Sequence, residues 1–139
     1  GALVVAGAVL GGVRLIAPWL HTVDRNPFEG LAVNPASAAL FAVVGMIGGG
    51  VREEAQRAFV LHRFERYLGG RTVGLVVSSV AFGAGHFLQG ADAAIATGVL
   101  GAYWGVLYLR RRSIVAPVLS HAAFNALQIG AFFARAGVS

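Results

Sequence analysis

Apolar residues fill five long intervals of this chain, at residues 1–20, 36–50, 72–88, 93–109 and 113–134, with shorter polar stretches between them. A bilayer core of about 30 Å takes roughly 20 apolar residues as an α-helix, and each interval comes close to that length. None alternates with the period of two that a barrel strand requires, and a helix satisfies its own backbone hydrogen bonds inside lipid. The pattern therefore predicts an all-α, multi-pass transmembrane bundle of about five helices. Between the first two intervals, Pro27, Gly30 and Pro35 mark a loop. The second interval passes into polar sequence that can stay helical to Leu68 and turn at Gly69 and Gly70 into the third.

Composition agrees with lipid as the solvent. Of 139 residues, 57% are hydrophobic and 12% charged, with a mean hydropathy of +0.72. A soluble domain has about 45–50% and 25%, and a disordered chain needs low hydrophobicity with high net charge. Both classes are excluded. The absence of cysteine removes disulfides and thiolate metal sites. The net charge of +5 comes entirely from arginine. Arg52, Arg57, Arg63, Arg66 and Arg71 follow the second interval and Arg110, Arg111 and Arg112 follow the fourth, against Arg25 and Arg135 on the other side. Arginine bunched in loops indicates a bilayer rather than nucleic acid as partner, and puts the eight-arginine side in the cytoplasm.

Glycine pairs at four-residue spacing, Gly7 with Gly11 and Gly101 with Gly105, are expected to let helices approach closely. The only methionine is Met46, and the chain begins within an apolar run that no basic segment precedes. It reads as a fragment of a larger bundle without a signal peptide, residues 1–35 forming an upstream helix and loop and residues 36–135 a core domain.

Ionisable side chains at membrane depth cost roughly 2.5–3.5 kcal/mol each and mark functional sites by default. Three clusters qualify: Glu53, Glu54 and Arg57; His86; and His121 with Asn125 one helical turn later. Each has a plainer explanation. Glu53 and Arg57 suit an i,i+4 pair on a surface helix, His86 a backbone hydrogen bond, and His121 with Asn125 an interhelical contact. Their combination favours a site, because Glu54 lies sixteen residues before the turn at residue 70 and His86 sixteen after it, which places them at one height. His121 fits less well. It lies about 14 Å below Arg112, against about 24 Å for His86 below its own loop, so tilt or uneven loop heights must absorb about 10 Å.

The Glu pair with a following Arg, then Phe82-x-x-x-His86, then His121-x-x-x-Asn125, in this order on consecutive apolar segments, resembles the CPBP intramembrane protease family. That family includes type II CAAX prenyl endopeptidases, abortive-infection proteins and bacteriocin-processing or self-immunity proteins. The likeness spans residues 36–130. It implies an endopeptidase acting on a membrane-embedded or prenylated substrate through a cytoplasmic-facing cavity. It further implies that Glu53 or Glu54 with His86 activates water, that His121 and Asn125 hold the oxyanion, and that Arg57 and Phe82 support them. One departure is that only two residues separate the Glu pair from Arg57, where the family pattern has three. Anchoring on Arg57 makes Glu53 the second family Glu with Arg52 in place of the first, whereas anchoring on the Glu pair puts Ala58 in place of the Arg, so the catalytic carboxylate is ambiguous by one residue.

Water-mediated hydrolysis needs a base and an oxyanion donor, which these side chains could supply. Alternatively Glu53, Glu54, His86 and His121 could hold a divalent metal such as zinc, although HExxH is absent. Two other classes stay open: a non-catalytic scaffold or immunity protein, and a proton or metal translocator, for which no inverted repeat is visible.

Overall fold

The computed structural model describes residues 1–24, 27, 30 and 34–136. Among them every regular element is helical: α1 (Ala2–Ile16), α2 (Pro35–Gly45), a π-helical segment (Met46–Glu53), α3 (Glu54–Tyr67), α4 (Gly70–Ala84), α5 (Ala91–Arg111) and α6 (Val115–Ala136). Short 3-10 turns at Pro18–Leu20 and Phe87–Gln89 follow α1 and α4. Because α2, the π segment and α3 run on as one helix of 33 residues, the chain forms the five helices that its pattern predicts. Three of them, Pro35–Tyr67, Ala91–Arg111 and Val115–Arg135, are long and apolar enough to cross a membrane. The other two have 15 residues each, shorter than their apolar intervals. Pro18 opens a 3-10 turn after α1, and α4 gives way at Gly85 to the turn that carries His86. Arg25, counted above in the first loop, lies outside the described residues.

Local signals set the boundaries. Asn34 caps α2 by accepting from the Ser37 amide at 2.8 Å while the Ser37 hydroxyl accepts from the Asn34 amide, and Pro35 occupies the first turn. Gly69 and Gly70 both take positive φ, 97° and 90°, which lets α3 reverse into α4. Beside this turn Glu65 accepts hydrogen bonds from Arg71 and, in bidentate fashion, from Arg112. Arg112 thus ties the α5–α6 turn to the last turns of α3, and the offset expected for His121 does not keep it from the site, since its ring reaches Glu54.

Helix α5 is central and packs against α1, α3, α4 and α6, while α6 lies mainly on the π segment and α2. Small residues make the close crossings. A side chain at Gly101 would press on Phe82 and one at Gly105 on Leu75, so this pair packs as its spacing suggested. Gly7 and Gly11 face open space, which corrects the packing role expected for them. The arrangement is apolar outside and polar within. Leu15, Ile16, Val80, Leu88 and Leu119 are exposed, whereas Glu54, Arg57, Asp92 and His121 are buried. An exterior of this kind needs lipid around it.

Candidate functional site

The π segment has the sequence Met-Ile-Gly-Gly-Gly-Val-Arg-Glu, and its glycines admit α6. A Cβ at Gly50 would lie 2.7 Å from that of Ala122, and one at Gly49 would overlap Asn125 Nδ2 and come within 3.3 Å of His121 Nε2. Both polar groups of α6 are therefore aimed at the face of Gly49. Asn125 also donates through Nδ2 to the Gly45 carbonyl at 2.9 Å. A π segment often marks a functional site, because the widened turn re-aims the backbone and the side chains beyond it.

Directly after this segment the two candidate carboxylates diverge. Glu54 is 2% exposed and accepts hydrogen bonds from Arg57 and, at 2.7 Å, from His121 Nδ1. The i,i+4 pairing of Glu53 with Arg57 does not form; Arg57 bonds Glu54 three residues back, because Glu54 shares its buried side of the helix. Glu53 keeps a side chain 29% exposed, with Oε2 at 3.8 Å from His121 Nε2. His121 is thus addressed by one carboxylate on each nitrogen.

Aromatic rings wall the cluster. Trp104 stacks on His121 at 3.8 Å and donates through Nε1 to Ser120 Oγ. Phe82 lies edge-on to both His86 and His121, at centroid distances of 4.7 and 5.9 Å, and carries the Arg57 guanidinium 4.5 Å above its ring. The predicted supporting residues Arg57 and Phe82 thus join the α3–α4 hairpin to α6. His86 donates from Nδ1 to the Phe82 carbonyl at 2.8 Å, as its plainer reading anticipated. Since a carbonyl only accepts, the neutral ring has its lone pair at Nε2.

A cavity of about 370 Å³ lies between the second half of α6, the second half of α2 and the turn after α4. His86 and Asn125 line it, together with Phe41, Phe124, Phe132 and Arg135. Glu53, Glu54 and His121 are not among its lining residues, so the sequence-predicted set divides into a buried cluster and a cavity wall. The antiparallel course of α5 and α6 puts this cavity at the opposite end of the bundle from Arg110, Arg111 and Arg112.

The donor set does not fit the metal reading. Among the described residues no group of three or more His, Asp or Glu side chains is placed to hold an ion. Glu53 and Glu54 face opposite nitrogens of one imidazole, and His86 commits Nδ1 to a carbonyl.

A second polar cluster went unnoticed in the sequence. Asp92, 1% exposed near the start of α5, accepts from Arg14 Nε at 2.8 Å and from His21 Nδ1 at 2.9 Å. Thr22 reinforces the link by accepting from the Ala91 amide. Arg14, an isolated charge in an apolar helix, was the available signal, but its partner is 78 residues away.

An apolar-surfaced helical bundle with glutamate, histidine and asparagine gathered inside it defines an integral membrane protein with a buried hydrophilic site. A family model described as type II CAAX prenyl endopeptidase Rce1-like matches residues 35–127, more than half of the chain, and the chain belongs to this family. The match agrees with the resemblance carried by the three motifs, and membership implies intramembrane proteolysis of the CAAX type. No curated protein and no solved structure matches the chain.

Proposed function

We propose that the protein hydrolyses a peptide bond of a prenylated or membrane-embedded substrate by direct attack of water. The observation that carries this reading is the convergence of His121 Nε2 and Asn125 Nδ2 on the face of Gly49, beside a cavity that His86 and Asn125 share. Asn125 uses one amide hydrogen on Gly45 and has a second for a developing oxyanion. His121 is the other donor in its imidazolium form, with Nδ1–H bonded to Glu54, Nε2–H facing Gly49 and Trp104 stacked across the ring.

Water activation falls to His86 and Glu53. His86 offers an unprotonated Nε2 to the cavity, and Glu53 is the carboxylate that retains access to solvent. Glu54 is enclosed by Arg57 and His121, so it acts as a positioning residue. In the reaction the water oxygen bonds to the carbonyl carbon, one water proton passes to the base, and the C–N bond breaks as the leaving amine takes a proton. The products are a new carboxylate and a free amine. Most arginines lie at the end of the bundle away from the cavity, and we infer that the cavity end is the one the substrate enters.

The test is cleavage of a farnesylated C-a-a-X peptide by the protein in proteoliposomes. Wild type should release the C-terminal peptide, and Asn125→Ala or His86→Ala should cut kcat by at least a hundredfold. Unchanged kcat in both variants would overturn the mechanism.

A further inference from the structure

Arg135, in the last turn of α6, is the only charged residue among the described residues lining the cavity, and none of those is a carboxylate. Among the described residues it forms no ion pair. A cation near a helix C-terminus is ordinary on its own. Here, however, it ends a cavity wall that begins at Phe124 and Asn125, with Phe132 between them and Arg135, and Phe41 of α2 also lining the cavity.

We infer that Arg135 binds the free C-terminal carboxylate of the substrate and so sets which bond is cut. This rests on the reading of the site given above. Asn125 and Arg135 are ten residues apart on one helix, about 15 Å along its axis at 1.5 Å per residue. Helical side chains lean toward the N-terminus, so the guanidinium reaches back toward Asn125. What remains corresponds to about three extended residues, ~10 Å at roughly 3.3 Å each. In a C-terminal C-a-a-X sequence three residues follow the modified cysteine. With its terminal carboxylate on Arg135, such a peptide presents the carbonyl of that cysteine at Asn125. The aromatic wall of Phe41, Phe124 and Phe132 suits the two apolar side chains between. A guanidinium takes a carboxylate in bidentate fashion, which selects a chain end over an internal segment. Water adds across the bond after the cysteine, leaving a carboxylate on the cysteine and a protonated amine on the released tripeptide.

The inference is tested with two farnesylated C-a-a-X peptides, one a free acid and one a C-terminal amide, offered to wild type, Arg135→Gln and Arg135→Lys in proteoliposomes. Wild type should lose at least tenfold in kcat/KM on amidation, chiefly through KM. Arg135→Gln should lose as much on the acid and no longer distinguish the peptides, while Arg135→Lys keeps part of the preference. Equal cleavage of both peptides by wild type, or an Arg135→Gln variant that still prefers the acid tenfold, overturns the inference and leaves the protease reading standing. Cleavage of neither peptide by wild type overturns the protease reading and this inference with it.

Discussion

Among the described residues two carboxylates are almost fully buried, and each is bound by one arginine and one histidine. Glu54 has Arg57 and His121, and Asp92 has Arg14 and His21. The difference lies in what surrounds the partners. Arg57 and His121 are themselves buried among Phe82 and Trp104, and the far nitrogen of His121 faces Glu53 and Gly49. Arg14 and His21 have side chains 51% and 31% exposed, and their contacts tie α1 and the chain after it to the start of α5. In the proposed mechanism the first triad positions a group that takes part in the reaction. The other uses its polar capacity to close a helix end and works as a clasp. Identical residue types thus acquire different roles from the enclosure of their partners and from whether one imidazole nitrogen is left facing another polar group.

The largest expected effect separates the two clusters directly. Glu54→Ala leaves Arg57 as an unpaired buried charge, at a cost of about 3–5 kcal/mol, and it should lower both the thermal midpoint and the activity. Asp92→Asn should cost less, on the order of 1–3 kcal/mol, because Arg14 can turn to solvent. Its folded fraction should keep the wild-type kcat, which would be measured beside the melting curve. Equal losses of kcat in the two variants would erase the distinction. Next in size, Asn125→Ala should reduce kcat about 10²–10³-fold with little change in KM, as removal of an oxyanion donor does. A smaller effect is expected for Gly49→Ala, whose new methyl group would displace Asn125, whereas Gly48→Ala meets open space and should behave as wild type in the same assay. Smallest of all, treatment with a chelator should leave the cleavage rate unchanged, since the carboxylates and imidazoles do not converge on one point.

Much of the fold was legible because lipid imposes strong rules on sequence. Apolar intervals and arginine-rich breaks located the five helices, and Gly69 and Gly70 located the hairpin. The three polar motifs were legible for the same reason, since glutamate, histidine and asparagine stand out where side chains should be apolar. Their mutual arrangement was harder to read. The choice between Glu53 and Glu54 depends on which side of a helix is covered, and that is set by a π segment whose glycines resemble any other packing stretch. The meeting of His121 with Glu54 depends on helix tilt and relative loop height, which counting residues from each loop cannot reveal. Asp92 escaped notice because an aspartate in the first turn of a helix is already explained by the helix dipole. Trp104 reads as an ordinary core aromatic until the imidazole stacked on it is seen.

The central claim is that chemistry belongs to the cluster beside Gly49 and stability alone to the one at Asp92. It is tested most directly by measuring kcat and the thermal midpoint together for Glu53→Gln and Asp92→Asn, with a farnesylated C-a-a-X peptide as substrate. The account predicts that Glu53→Gln loses at least a hundredfold in kcat with its midpoint unmoved, and that Asp92→Asn melts earlier with kcat intact. A Glu53→Gln variant that turns over at the wild-type rate, or an Asp92→Asn variant that loses kcat just as severely, would contradict it.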